Sequence, residues 1–212
     1  MEIGLLQETT KAYLFMRAVS LLKDGGVVVG PSDTVYGVYA DASNERAVEK
    51  IFALKKRPAE KPFGVFVRDI AMARRFAYVS DAKAKFLERV WPGAVSVIFH
   101  HKEKLPAKLT GEKDTISLRI PNDSFLSVLL AQCDFPILQT SANIAGMQPA
   151  KTIEEVKNYF TDIKYQPNLM IDGGDGKENP SAIIDFTGAK PLITRMGVIT
   201  KNQLDELLNG VV

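Results

Sequence analysis

Three stretches of this sequence place groups that hold anions at the ends of apolar segments. Ile116-Ser117-Leu118-Arg119-Ile120 alternates, so Thr115, Ser117 and Arg119 share one side of a strand while Ile116, Leu118 and Ile120 take the other. A guanidinium beside two hydroxyls is an anion clamp, although from this segment alone a solvated sheet face with an incidental arginine is the favoured reading. Gln139-Thr140-Ser141-Ala142-Asn143 closes an apolar run with small polar residues, followed by Gly146 and Pro149. Hydroxyls, an amide and freed backbone N–H groups at a strand's carboxyl end suit phosphate or carboxylate, and they suit a capped polar turn as well. Pro31-Ser32-Asp33-Thr34 admits the same two readings. Lys55, Arg57 and Lys61 end a helix, where cations also complement the negative end of the dipole. Arg195 stands alone in an apolar segment, Ile193-Thr194 before it and Met196-Gly197 after it.

Other chemistry is poorly provided for. Walker-type and dinucleotide glycine signatures are missing, and Gly173-Gly174-Asp175-Gly176-Lys177 lacks the spacing of a phosphate loop. His100 and His101 are adjacent and fall on opposite faces if extended. Cys133 is the single cysteine, so neither an intramolecular disulfide nor a cysteine zinc site can form, and its neighbours Leu129 and Leu130 mark it as a buried small hydrophobe. No metal site is expected.

The elements that must carry these groups alternate along the chain. Helices are expected from Thr9 or Thr10 to Gly25, from a Ser43 or Asn44 cap to Lys55, and over 83–90, 124–133 and 153–160, the last with Thr152 and Glu155 at capping-box spacing. Thr200 and Gln203 repeat that box before a final helix. Strands are expected over 27–29, 34–40, 64–67, 95–99, 116–120, 137–140, 169–171, 182–186 and 192–194. Strands separated by helices, then a later run with short connections, predict an α/β fold: one twisted, mixed parallel and antiparallel sheet with flanking helices, spanning 1–212 as a single domain.

Of 212 residues, 46% are hydrophobic and 25% charged, within the range of a globular chain. No apolar run is long enough to span a bilayer, and the start lacks a signal-peptide layout, so a cytoplasmic protein without a membrane partner is expected. A net charge of +2 is too small for a dedicated nucleic-acid binder. The excess is local: eight lysines and arginines between Lys50 and Arg75 meet only Glu60 and Asp69. From the residues alone the reading reaches an anion-binding α/β domain and stops.

Seven segments in order carry a resemblance further. Pro31-Ser32-Asp33-Thr34-Val35-Tyr36-Gly37, Lys55-Lys56-Arg57-Pro58 with Lys61-Pro62, Trp91-Pro92-Gly93, Ser117-Leu118-Arg119-Ile120-Pro121, Thr140-Ser141-Ala142-Asn143, Pro180-Ser181-Ala182 and Arg195-Met196-Gly197 together resemble the YrdC/TsaC-type L-threonylcarbamoyladenylate synthases, in their short single-domain branch. The resemblance implies a YrdC-like fold with a concave, positively charged pocket. It implies a nucleotidyltransferase that makes threonylcarbamoyl-AMP and pyrophosphate from ATP, L-threonine and bicarbonate, with Mg²⁺ arriving on ATP, for a downstream tRNA-modifying transferase. The family signature falls on Lys55, Arg57, Ser141 and Asn143 as the catalytic set, which with Thr115 and Arg195 would hold ATP; Thr34, Lys61, Arg119, Thr140 and Ser181 would lie by threonine. Departures are modest: Ser32 for a usual Thr, Ala94-Val95-Ser96 for Pro-Leu-Thr, Ala182 for Thr and Met196 for Pro. The alternative is an RNA-binding YrdC-like module without synthase activity, in which tRNA is bound weakly on the positive surface.

Overall fold

The computed structural model describes residues 2–208 apart from Asp162, Glu178 and Val198. Ten strands form one sheet: β1 (Glu2–Leu5), β2 (Val28–Gly30), β3 (Gly37–Asp41), β4 (Gly64–Phe66), β5 (Val95–His100), β6 (Thr115–Arg119), β7 (Ile137–Ser141), β8 (Leu169–Asp172), β9 (Ala182–Asp185) and β10 (Leu192–Arg195). Their order is β1-β8-β2-β3-β7-β4-β6-β5-β9-β10. Pairings β1–β8, β8–β2, β4–β6 and β5–β9 are parallel and the rest antiparallel, so the sheet is mixed as expected.

The helices are α1 (Glu8–Lys23), α2 (Glu45–Lys55), α3 (Ile70–Phe76), α4 (Asp81–Val90), α5 (Ala107–Thr110), α6 (Ser124–Gln132), α7 (Ile153–Phe160) and α8 (Lys201–Leu208). Polar caps start several of them: Asn44, Asp69, Ser80, Asp123 and Thr152 each accept a first-turn N–H. The box at α8 is complete, Gln203 accepting from Thr200 N at 3.0 Å and Thr200 from Gln203 N at 3.4 Å. At α1 the expectation shifts, because the helix begins at Glu8 and Thr10 lies inside the first turn, its hydroxyl accepting from Gln7 N at 3.1 Å.

Strand alternation sorts the core into two layers. Val28, Tyr39, Phe66, Ile137, Leu169 and Ile171 pack against Leu14, Ala18, Leu22, Phe125 and Leu129 of α1 and α6, with Cys133 buried among them. Their sequence neighbours Val29, Val38, Val65, Leu138 and Met170 turn to the other face, against Val48, Ile51, Leu87, Val156 and Phe160 of α2, α4 and α7. Each such side chain contributes about 1.5–3 kcal/mol on burial, and a one-residue slip would turn every strand the wrong way. Register is therefore tightly held. Beside them, β6, β5 and β9 direct Ile116, Leu118, Val95, Val97, Phe99 and Ile184 to the second layer. Their opposite, polar side is the stretch that α1 and α6 leave open.

Candidate anion-binding site

That open stretch holds a cavity of about 360 Å³, lined along the strands by Gly64, Ser96, Ile98, Thr115, Ser117, Arg119, Gln139, Thr140, Ser141 and Ile183. Connections add Thr34, Arg57, Pro149, Pro180, Ser181 and, at the end of β10, Arg195. Three guanidinium groups and a ring of hydroxyls thus face one space, and no Asp or Glu is among the described residues lining it. A larger depression of about 580 Å³ between α1 and α6 is mainly apolar, walled by Phe15, Met16, Val19 and Val128, and lies away from the arginines.

The arginines are held by different means. Arg119 is 2% exposed; its Nε donates to Gly93 O at 2.7 Å, an Nη pairs with Asp33, and its plane lies over Phe66 at 5.5 Å. Asp33 in turn accepts from Asn122 N at 3.0 Å. Burial pulls the Arg119 guanidinium below its usual range, opposed by the charge of Asp33. Arg57 donates to Lys61 O at 3.1 Å and Pro62 O at 2.9 Å and stacks on Phe63 at 4.9 Å, half-buried. Arg195 reaches Ser181 through its carbonyl at 3.0 Å and its hydroxyl at 3.2 Å, and Ser181 shares a hydrogen bond with Ser96 at 2.9 Å. Burial and then the neighbouring Arg119 both lower the Arg195 guanidinium. Arg119 is paired with Asp33 and feels Asp123 as well, whereas the hydrogen bonds described for Arg57 and Arg195 go to neutral oxygens, which leaves positive charge for a ligand.

Local sequence explains several placements. The segment 34–36, expected as strand, is a turn instead: Ser32 Oγ accepts from Thr34 N at 3.0 Å and donates to Val35 O at 2.7 Å, and this puts Thr34 in the cavity wall. The ladder of β10 slips between Ile193 and Arg195, and such a bulge re-aims the side chain that follows. Gly197 lets the next segment close in, since a Cβ there would stand 2.5 Å from Pro180 O and Ser181 C. Arg195 and Gly197 are thereby brought against the Ser181 loop, while Met196 between them is exposed.

Lys55 and Asn143 lie behind the wall. Lys55 is 1% exposed at the last turn of α2, and its Nζ donates to Ser141 O, to Asn143 O at 2.9 Å and to Asn143 Oδ1 at 2.9 Å. Burial, and secondarily the charge of Arg57, bring its pKa down to about 7. Asn143 also accepts from Ser141 Oγ at 2.7 Å and donates to Ile144 O at 3.1 Å and Met147 O at 2.5 Å. Lys61 is exposed and outside the lining; its backbone carbonyl steadies Arg57. The structure therefore gathers Thr34, Arg57, Thr115, Arg119, Thr140, Ser141, Ser181 and Arg195 at one cavity and sets Lys55, Asn143 and Lys61 around it.

Depth divides the gathered residues. Thr34, Arg119, Thr140 and Ser181 are buried and form a floor, whereas Arg57, Thr115 and Ser141 are partly exposed and Arg195 is exposed, forming a rim. Sequence reasoning had no role for Ser96, Gln139 or Asp33. The first two follow from strand alternation, Ser96 with Ile98 on β5 and Gln139 with Ser141 on β7; Asp33 had no local signal as the partner of Arg119.

The Sua5/YciO/YrdC family model, described as "Telomere recombination", matches residues 20–197. A Photobacterium profundum protein named threonylcarbamoyl-AMP synthase is 34% identical over 175 residues, 80% of this chain and 92% of the relative. A Bacillus subtilis protein of the same name is 31% identical over 92% of this chain, which spans 56% of that relative's length. Among solved structures, Pyrococcus abyssi Sua5 complexed with L-threonine superposes with TM-score 0.91 at 28% identity, covering 100% of this chain and 62% of that one. Escherichia coli YciO superposes with TM-score 0.84 at 26% identity, covering 94% and 98%.

Proposed function

Since the chain belongs to the Sua5/YciO/YrdC family, we propose that it is an L-threonylcarbamoyladenylate synthase, a nucleotidyltransferase that joins ATP, L-threonine and bicarbonate into threonylcarbamoyl-AMP and releases pyrophosphate. The observation that carries this reading is the cavity itself, three arginines and a ring of hydroxyls around a space with no carboxylate in its described lining. A substrate set in which every member brings an anionic group needs such a place.

In the proposed reaction a carbamate oxygen of N-carboxylated threonine attacks the α-phosphorus of ATP. The new P–O bond forms as the bond to the β-phosphate oxygen breaks, and pyrophosphate leaves with those electrons. A carbamate and a triphosphate repel each other, so this chain's contribution is positioning and charge neutralisation. The floor takes the amino acid: Arg119, fixed by Asp33 and Gly93 O, meets the carboxylate, and Thr34, Thr140 and Ser181 offer hydroxyls. The rim takes the nucleotide, with Arg57 and Arg195 at the phosphates and Thr115 and Ser141 beside them. The buried floor matches a small substrate and the open rim a large one. Mg²⁺ belongs to this proposal as part of the ATP substrate, neutralising the departing pyrophosphate. A cytoplasmic setting, hand-over to a tRNA-modifying transferase and weak tRNA contact complete the proposal; no described helix is long and apolar enough to cross a membrane.

The deciding experiment is pyrophosphate release by pure protein in degassed buffer, with the adduct identified by mass. Release is expected only with threonine, bicarbonate and Mg-ATP together and without tRNA. Full threonine-dependent release in carbon-dioxide-free buffer would mean ordinary aminoacyl adenylation. Release from Mg-ATP that needs neither threonine nor bicarbonate, or RNA binding that survives loss of Arg57 and Arg195 without any synthesis, would remove the reading.

A further inference from the structure

The Lys-x-Arg pair splits at the end of α2. Lys56 adopts the left-handed conformation, φ 49°, and ends the helix between an inward lysine and an arginine that reaches the cavity. An ammonium has three N–H donors and no acceptor. Lys55 spends them on three oxygens, Ser141 O, Asn143 O and Asn143 Oδ1, and its own carbonyl accepts from Ala145 N at 2.9 Å. Among the described residues no carboxylate joins this cage. The Ser141–Ala145 turn is thus fastened to the helix end at both the backbone and the side chain of one residue. Because Ser141 Oγ donates to the same Oδ1 at 2.7 Å, the hydroxyl that lines the cavity takes its direction from an amide that Lys55 holds.

We propose that Lys55 is a positioning residue and not a ligand of the nucleotide: its proton draws the Ser141–Asn143 turn closed against α2, and loss of that proton loosens the turn and weakens ATP binding at mildly alkaline pH. A neutral amine keeps two N–H donors and gains a lone pair, so one of three buried oxygens loses its partner and faces electron density. The charged groups on the elements around the cage are Lys56 and Arg57 at the helix end, Glu45, Arg46, Glu49 and Lys50 earlier on α2, Asp41 on β3, Lys108 on α5 and Lys151 past the turn. Of these, Arg57 is the one whose charge bears on Lys55, and it adds to burial in bringing the pKa to about 7, where a modest change of pH removes the proton. The inference rests on the reading of the rim as the nucleotide's place.

The test uses the whole protein with [¹⁵N]lysine and [¹⁵N]asparagine labels. Lys55 Nζ and the Asn143 side-chain amide are followed by NMR from neutral to mildly alkaline pH, and Mg-ATP affinity is measured by calorimetry over the same range. One shared midpoint is expected for all three. In Arg57→Ala the NMR midpoint should move to higher pH, because a neighbouring positive charge is gone. Lys55→Met, of similar length, should weaken Mg-ATP binding about tenfold or more at neutral pH, the scale of losing bonds to a charged donor, and should show no alkaline limb. An Asn143 amide that stays still while Lys55 titrates overturns the proposal. So does a Lys55→Met protein with an unchanged limb; if that variant does not fold, the wild-type titration decides alone. Synthesis that persists without the coupled titration overturns this inference only, whereas coupled titration without synthesis at any pH removes the synthase reading and leaves the positioning role of Lys55.

Discussion

Asp33 and Arg119 meet as a buried ion pair, with side-chain exposures of 6% and 2%, across 86 residues of chain. The pair fixes the direction of the deepest cation in the cavity, since Gly93 O and Asn122 N hold its two members from opposite ends.

Asp33→Asn keeps the shape and leaves a buried guanidinium without its counter-charge. Stability should fall by about 3–5 kcal/mol, the usual result of removing one member of a buried pair. Urea unfolding reads the loss, and the threonine KM should rise with it. A variant as stable as wild type would show that Arg119 is neutralised by something else.

Arg57→Ala removes a half-buried cation whose bonds are to two backbone carbonyls. The fold should survive. Turnover should drop by about a hundredfold or more, as loss of charge stabilisation in a transition state usually does. Circular dichroism and steady-state kinetics on the same preparation separate the two effects.

Ser141→Ala and Asn143→Ala should differ. The serine loses one neutral hydrogen bond, worth about 0.5–1.5 kcal/mol, whereas the asparagine gives up bonds to Lys55, Ser141, Ile144 and Met147 and leaves an ammonium short of an acceptor. Asn143→Ala is expected to be the less stable and the less active. Equal melting temperatures in the two variants would contradict the cage.

Lys55 gives stability and activity opposite dependences on pH. Its folded pKa of about 7 lies below the ordinary 10.5, so below about 7 both states are protonated and the cost of burying the charge is fully present. As pH rises above that value the unfolded chain binds more protons, and stability increases relative to a Lys55→Met control. Taking that difference cancels the opposing contribution of Cys133, whose buried thiol is pushed up to about 11 in both proteins. Unfolding free energies at neutral and mildly alkaline pH check the sign, and parallel loss of stability and ATP affinity would refute it.

Much of this was visible in the chain, because alternation and capping are local. Ile116 and Leu118 turned away from Ser117 and Arg119 as spacing required, and Asn44, Thr152 and Thr200 began helices. What was hidden depended on partners far along the sequence. Lys55 had the look of a solvated helix-end cation, and its three oxygens are 86 and 88 residues away. Arg119 could have been a surface residue until Asp33 was placed opposite it. The strand β1 has no clear sequence signal, because its four residues include Gly4 and it pairs with β8, which begins at Leu169. The short helices α3 and α5 carry too few turns to show a period.

The difference in depth between floor and rim has a consequence in time. On the proposed reading, a nucleotide seated by Arg57, Ser141 and Arg195 would lie across the pocket that the buried Thr34, Arg119, Thr140 and Ser181 close from below. The smaller substrate would then have to arrive first and could not depart while the larger one stays. The expected outcome is ordered loading: a non-hydrolysable ATP analogue should slow the escape of bound threonine rather than compete with it.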